Sequence, residues 1–311
     1  DYYASRGLGD VYKRQILQRK LEALGQNGTL IRKDGKTFLQ LDCENAKELS
    51  MKWGEKLYPF TKTGKKWILE LPFSTAVNYV QICVDGQEVL SPDLPIAHGY
   101  CRPYNYIELP DEEGLFELRD VPHGTLTREF YKSQISDNWE KLIVYLPPCV
   151  PSAGLPVLYL QHGFGESEIS WSTTGKVNFL MDNLIAAGKI KPFAIVMGNG
   201  MVKQRIDGEL KLNRALYGQM LVEEILPMIE KKYQFGGSKE KRGMAGLSMG
   251  SVQTTRTICA HPELFSEVGI FSGFLRDRIV GDEEHDGIVP KSGGQSYLKA
   301  MDDAAFNPYF H

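Results

Sequence analysis

The pentapeptide Gly246-Leu-Ser248-Met-Gly250 has the spacing of a serine nucleophile held at a sharp turn. In such an elbow a strand ends, the chain turns tightly into a helix, and the hydroxyl stands at the tip. Glycines two residues to either side relieve the crowding, because they lack a Cβ. The flanks suit this: residues 239–246 read as a short strand, and residues 251–260 as a helix stopped by Pro262. A serine hydroxyl is a weak nucleophile until a base takes its proton, and acyl transfer also needs donors for the developing oxyanion. A second segment meets that need. Gln161-His-Gly-Phe-Gly-Glu166 follows the apolar run of residues 155–160. A loop of this kind supplies one oxyanion N–H, and the residue after the nucleophile supplies the other. Ser248 is therefore the expected nucleophile, with Phe164 and Met249 as the expected donors.

Several elements must position these segments. Residues 16–28 read as a short helix. From Thr29 to about Pro110 the chain alternates as half-buried strands do, with hairpin signals at Asp34-Gly35 and Asp85-Gly86. Short strands at this spacing predict a small β-sandwich. Past residue 119 the texture changes. Residues 127–132 and 141–146 read as a strand pair. Residues 155–160, 193–197 and 268–272 are short apolar runs, as for strands buried on both faces. Helical stripes lie between them, at residues 177–187 and 219–233. Alternating strand and helix predicts an α/β, doubly wound sheet.

A chain of 311 residues fits two domains, and 42% hydrophobic residues give ample core. A net charge of −3 argues against nucleic acid as a partner. No run reaches 18 apolar residues, so no membrane-spanning helix is expected. The five cysteines are scattered with no C-x-x-C, which indicates neither a metal site nor a disulfide framework. No cofactor is expected. Residues 1–15 lack an initiator methionine and an apolar segment and read as a non-native leader. The compartment, secreted or cytoplasmic, is left open.

Residues 119–311 resemble carbohydrate esterase family 1, the feruloyl and acetyl-xylan esterases of the esterase-D-like α/β-hydrolases. The resemblance is carried by Arg119-Asp-Val-Pro-His-Gly124, Pro156-Val-Leu-Tyr-Leu-Gln-His-Gly-Phe-Gly165 and Asp182-Asn-Leu-Ile-Ala-Ala-Gly188. It continues through Ile195-Val-Met-Gly-Asn-Gly200, Ala245-Gly-Leu-Ser-Met-Gly250 and His261-Pro-Glu-Leu-Phe265. Residues 29–110, within a domain expected over 16–118, resemble in layout the immunoglobulin-like module related to family 48 carbohydrate-binding modules. Trp53 and Trp67 could form a sugar-stacking platform there, though aromatics at strand spacing more often pack a core. The resemblance implies hydrolysis of carboxylic esters on plant cell-wall oligosaccharides or polysaccharides. Siderophore esterases share the core, so a small-ester hydrolase is an alternative. A non-catalytic glycan-binding protein is another. Trp171, Asn199 and Arg205 are candidate substrate contacts; Trp171 could equally pack the core.

One departure from the family pattern stands out. The triad order in this fold is Ser, acid, His, so acid and base should follow Ser248. After residue 272 comes a polar loop containing Gly281-Asp-Glu-Glu-His-Asp-Gly287, then a short helical stretch from Gly294, and the sequence ends at His311. The expectation is a chain truncated before its catalytic acid and histidine, with little activity. Of the six histidines, His162 shapes the oxyanion loop, His261 opens a turn, His98 and His123 lie upstream, His285 sits in an acidic loop and His311 is terminal. None is assigned as the base, and no metal site is assigned.

Overall fold

The computed structural model describes residues 29–110 and 113–273. They fall into two compact units, one built from residues up to His98 together with Arg102–Gly114, the other from Gly99–Cys101 and the residues from Leu115 onward. The stretches at 1–15, 16–28, 281–287 and 294–311 lie outside the described residues.

The first unit is all-β. Its strands are β1 (Leu30–Lys33), β2 (Lys36–Asp42), β3 (Leu49–Trp53), β4 (Lys56–Pro59), β5 (Thr61–Thr63), β6 (Lys66–Glu70), β7 (Ala76–Val84), β8 (Gln87–Val89), β9 (Ile96–Gly99) and β10 (Arg102–Leu109). One sheet runs β1-β2-β6-β5 and the other β4-β3-β7-β10-β9, with β8 paired to β7. Both hairpin signals fold as turns with positive φ, at Asp34 (52°) and Gly35 (76°) and at Asp85 (50°) and Gly86 (80°). Period-2 alternation sends Leu39, Leu41, Met51, Trp67, Val80, Ile82 and Ile107 into one core. Trp67 is buried, with its indole N–H donated to the Cys43 carbonyl at 2.8 Å. It packs the core and is not a platform. Trp53 is half-buried against Phe73, ring centroids 5.0 Å apart.

The second unit carries β11 (Thr125–Lys132), β12 (Trp139–Leu146), β13 (Val157–Gln161), β14 (Ala194–Gly198), β15 (Lys203–Ile206), β16 (Glu209–Leu212), β17 (Arg242–Leu247) and β18 (Glu267–Phe271). Helices are α1 (Ser170–Thr173), α2 (Val177–Ala186), a continuous α3 and α4 (Met249–Ala260). Helix α3 runs through Tyr217–Met220, a π turn at Leu221–Ile225, and Leu226–Tyr233. The π turn stands just before Pro227, which has no N–H to offer the carbonyl one turn back.

The main sheet has the order β11-β12-β14-β13-β17-β18. Strands β14, β13, β17 and β18 are mutually parallel, while β12 is antiparallel to both β11 and β14. Alternate residues of β13 enter different cores. Val157 and Tyr159 pack with Tyr217, Leu221, Ile225, Ile229 and Ile258. Leu158 and Leu160 pack with Val177 and Met181. Burial on both faces explains the unbroken apolar runs of β13 and β14, whereas β18, also expected to be buried, is half-buried at Glu267–Ile270 and exposed at Phe271. The four parallel strands end at Gln161, Gly198, Leu247 and Phe271, so the loops that follow gather at one edge, where open α/β sheets bind ligands.

Candidate active site

Strand β17 lies between β13 and β18, with Gly246 level with Gln161 on one side and Ile270 on the other. Ser248 follows directly, at φ 52° and ψ −108°, and α4 begins at the next residue. Positive φ in a residue with a Cβ is costly and persists only where the surroundings enforce it. Here they do. The Ser248 N–H is donated to the Phe271 carbonyl at 2.9 Å. Its own carbonyl accepts from Ser251 N (3.0 Å), Val252 N (3.2 Å) and Ser251 Oγ (2.6 Å). The main chain is pinned on both sides, and the half-buried hydroxyl has no hydrogen-bond partner among the described residues.

The two flanking glycines are required by space. A Cβ on Gly246 would fall 2.2 Å from the Gly250 carbonyl oxygen. One on Gly250 would fall 2.7 Å from the His162 carbonyl oxygen and 2.8 Å from Gln161 Cβ. The elbow is therefore pressed against the end of β13, where the Gln161–Glu166 loop begins.

In that loop His162 is buried and uses both ring nitrogens. Its Nε2 accepts the Gly200 N–H at 2.9 Å, which requires the proton on Nδ1, donated to the Gly163 carbonyl at 2.8 Å. Burial, the largest influence, pushes its pKa down. A neutral ring bonded at both nitrogens is a fixture of the loop and has no lone pair left for Ser248. The Gly163 N–H is taken by Glu166 Oε2 at 2.9 Å, and the Gly165 N–H by Met201 Sδ at 3.4 Å. Burial raises the Glu166 pKa, and the Gly163 bond lowers it. Between these two occupied donors the Phe164 N–H is without a partner among the described residues, as is the Met249 N–H at the start of α4. Phe164 is 38% exposed, and the Arg214 guanidinium lies over its ring at 5.2 Å.

The other sequence candidates occupy varied positions. Trp171 on α1 donates its indole N–H to the Gln161 carbonyl at 2.9 Å and meets Phe271 at 6.0 Å between ring centroids. It buttresses the end of β13 beside the elbow. Asn199 Oδ1 accepts the Met201 N–H at 3.0 Å, a contact within its own loop. Arg205 is exposed on β15, its Nη1 donated to the Gly208 carbonyl at 2.8 Å. It thus belongs to a two-stranded ribbon, β15–β16, turned at Asp207-Gly208, the same dipeptide that turns the β1–β2 and β7–β8 hairpins.

Among the described histidines, His123 alone is paired with a buried carboxylate. Its Nδ1 meets Asp182 Oδ2 at 2.9 Å, and Asp182 Oδ1 accepts from Tyr145 OH (2.6 Å) and Gly124 N (3.0 Å). Tyr145 pairs with Ile195 at the beginning of β14, whereas Ser248 lies past the end of β17. This dyad serves the opposite end of the parallel strands. His261 terminates α4, thirteen residues beyond Ser248, beside Glu263 at 3.4 Å, and His98 lies on β9. His285 and His311 lie outside the described residues. No cluster of three metal-ligating side chains occurs among the described residues.

A serine at a strained strand-to-helix turn, next to a loop with a free N–H, is the arrangement of an ester hydrolase of the α/β type. The family model described as "Putative esterase" matches residues 133–307, more than half of the chain, and the chain belongs to that family. It is 30% identical over 276 residues to an endo-1,4-beta-xylanase/feruloyl esterase of Xylanibacter ruminicola. That alignment covers 84% of this chain and 38% of the relative, so the chain spans about two fifths of that protein's length. A CE1 ferulic acid esterase from Anaeromyces mucronatus, solved with ferulic acid, superposes with a TM-score of 0.51 at 18% identity, covering 62% of this chain and 84% of that one. The enterobactin esterase of Shigella flexneri, solved with 2,3-dihydroxy-N-benzoyl-serine, gives a TM-score of 0.60 at 13% identity, covering 88% and 79%. At these identities the structural likeness is one of fold.

Proposed function

We propose that this esterase is a serine carboxylic-ester hydrolase acting on feruloylated or acetylated plant cell-wall glycans, the side-chain esters of xylan. The observation that carries the mechanism is Ser248, held at positive φ at the tip of β17 beside two unclaimed N–H groups, those of Phe164 and Met249. The Ser248 oxygen attacks the ester carbonyl as its proton passes to a base. The oxyanion rests on the two N–H groups, the alcohol leaves with a proton, and water then releases the acid from the acyl-enzyme. Placing the two donors beforehand stabilises charge that exists only in the transition state. The substrate class rests on the name of the xylanase/feruloyl esterase relative. We read the main sheet as doubly wound, with residues 16–118 a separate carbohydrate-binding-like module and 119–311 the hydrolase domain.

We assign no base among the described histidines: His123 is held by Asp182, His162 by Gly163 and Gly200, His261 stands beside Glu263, and His98 lies on β9. Methyl ferulate and p-nitrophenyl acetate test the proposed reaction: hydrolysis that disappears in Ser248→Ala supports it, and hydrolysis unchanged in Ser248→Ala would overturn it. A second reading, hydrolysis of a catecholate siderophore ester, is favoured by the fold likeness over 88% of the chain to the enterobactin esterase. Feruloylated arabinoxylan oligosaccharides against a catecholate triester separate the two. Retention on xylan without any Ser248-dependent turnover would instead favour a glycan-binding protein.

A further inference from the structure

The oxyanion loop and the elbow belong to different strand ends, yet their donors must converge on one oxygen. Gln253, on the second turn of α4 and only 5% exposed, bridges them. Its Nε2 donates to the Gly200 carbonyl at 2.9 Å and to the Arg214 carbonyl at 3.0 Å. Each contact leads to Phe164 by a separate path. The Gly200 peptide is gripped on its other side as well, its N–H on His162 Nε2 at 2.9 Å. His162 Nδ1 in turn holds the Gly163 carbonyl, which belongs to the peptide that carries the Phe164 N–H. On the second path, the Arg214 guanidinium stacks on the Phe164 ring at 5.2 Å. The approach at Gly200 is close enough to exclude a side chain: a Cβ there would fall 2.4 Å from Gln253 Oε1 and 3.1 Å from Gln161 Oε1.

We propose that Gln253 is a positioning residue for acyl transfer, a strut that registers the Phe164 N–H against the Ser248 elbow through the Gly200 peptide and the Arg214 carbonyl. The inference rests on the reading of Ser248 as nucleophile. Oxyanion donors work by geometry, so a strut that sets their spacing acts on the rate and little on affinity. The bland role for such an amide is to satisfy two buried carbonyls, which would affect stability alone.

The two roles separate in the labelling of Ser248 by a fluorophosphonate, followed across reagent concentration in the full chain. The saturating rate reports the geometry of attack, and the half-saturating concentration reports reagent binding. Gln253→Met keeps length and removes both donors; Gln253→Glu keeps shape and replaces the donors with oxygens. The expected result is a saturating rate lowered about ten- to a hundredfold in both variants, as for a donor displaced by about an ångström. The half-saturating concentration should hold within about twofold. In Gln253→Glu the rate relative to the parent should recover as pH falls, because a protonated carboxyl regains one donor. Rates within about twofold of the parent in both variants, with Ser248 still labelled, would overturn the inference whatever happens to the melting temperature. Labelling that survives Ser248→Ala would instead overturn the nucleophile reading, and the strut with it.

Discussion

Gly250 packs its Cα against the main chain of His162, so closely that a Cβ would fall 2.7 Å from the His162 carbonyl oxygen. This one approach joins the two halves of the proposed site: Gly250 belongs to the elbow helix, and His162 lies in the Gln161–Glu166 loop proposed to hold the oxyanion. Backbone atoms cannot swing aside as a flexible side chain can. Gly250→Ala should therefore push the elbow and loop apart. A destabilisation of about 1–3 kcal/mol, the usual cost of forcing a methyl into a packed site, should appear in urea unfolding. Labelling of Ser248 in the folded protein should slow as well. An alanine variant with unchanged midpoint and labelling rate would show that the approach has slack.

The neutral state of His162 has a pH consequence. Protonation at Nε2 would set a donor against the Gly200 N–H it now accepts. Burial holds the folded pKa below the ordinary imidazole value of 6.5. Between the folded and unfolded values the unfolded chain binds the extra proton, so stability falls as pH drops from about 6.5. Urea midpoints measured from pH 8 to pH 5 should fall more steeply for the parent than for His162→Gln. Parallel profiles would contradict the assignment.

Glu230 and Arg242 form a two-bond ion pair, Nε to Oε1 at 2.6 Å and Nη2 to Oε2 at 2.8 Å, with each side chain about nine-tenths buried. Glu230 also accepts from Tyr159 OH at 3.1 Å and Gly237 N at 2.9 Å. The pair fixes the start of β17, the strand that ends in Ser248. Glu230→Ala leaves a buried guanidinium unpaired and should cost about 3–5 kcal/mol. Arg242→Lys loses the fork geometry and should fall between parent and Glu230→Ala. Guanidinium chloride unfolding measures both.

Asp182 is the control for chemistry at the wrong end of the sheet. It accepts from His123, Tyr145 and Gly124 while buried. Asp182→Ala strands those donors and should cost at least about 1–3 kcal/mol. The labelling rate of Ser248 should stay unchanged in the fraction that folds, because the cluster lies at the opposite strand ends. A lowered rate at unchanged foldedness would bring the His123–Asp182 dyad back into the mechanism.

The sequence was most legible where periodicity and special residues coincide. Asp34-Gly35 and Asp85-Gly86 mark real hairpins because their positive φ suits those dipeptides. The runs through Val157 and Ala194 read as buried strands because both faces of β13 and β14 are covered. The elbow was legible because its two glycines answer to steric contacts at 2.2 Å and 2.7 Å. The β15–β16 ribbon is poorly legible although Asp207-Gly208 announces it, since its strands are only four residues long and mostly exposed. The role of Gln253 was invisible: a glutamine on an elbow helix has no local signature, and its partners Gly200 and Arg214 come from distant sequence. The same holds for His123, whose carboxylate partner is 59 residues away.

The central claim is that Ser248 is the acyl-accepting oxygen. Its most direct test is peptide mapping by mass spectrometry after exposure to a fluorophosphonate, with Ser248→Ala alongside. The expected result is a single adduct on the peptide containing Ser248, absent in Ser248→Ala. An adduct on another serine, or equal labelling of the two proteins, would contradict it.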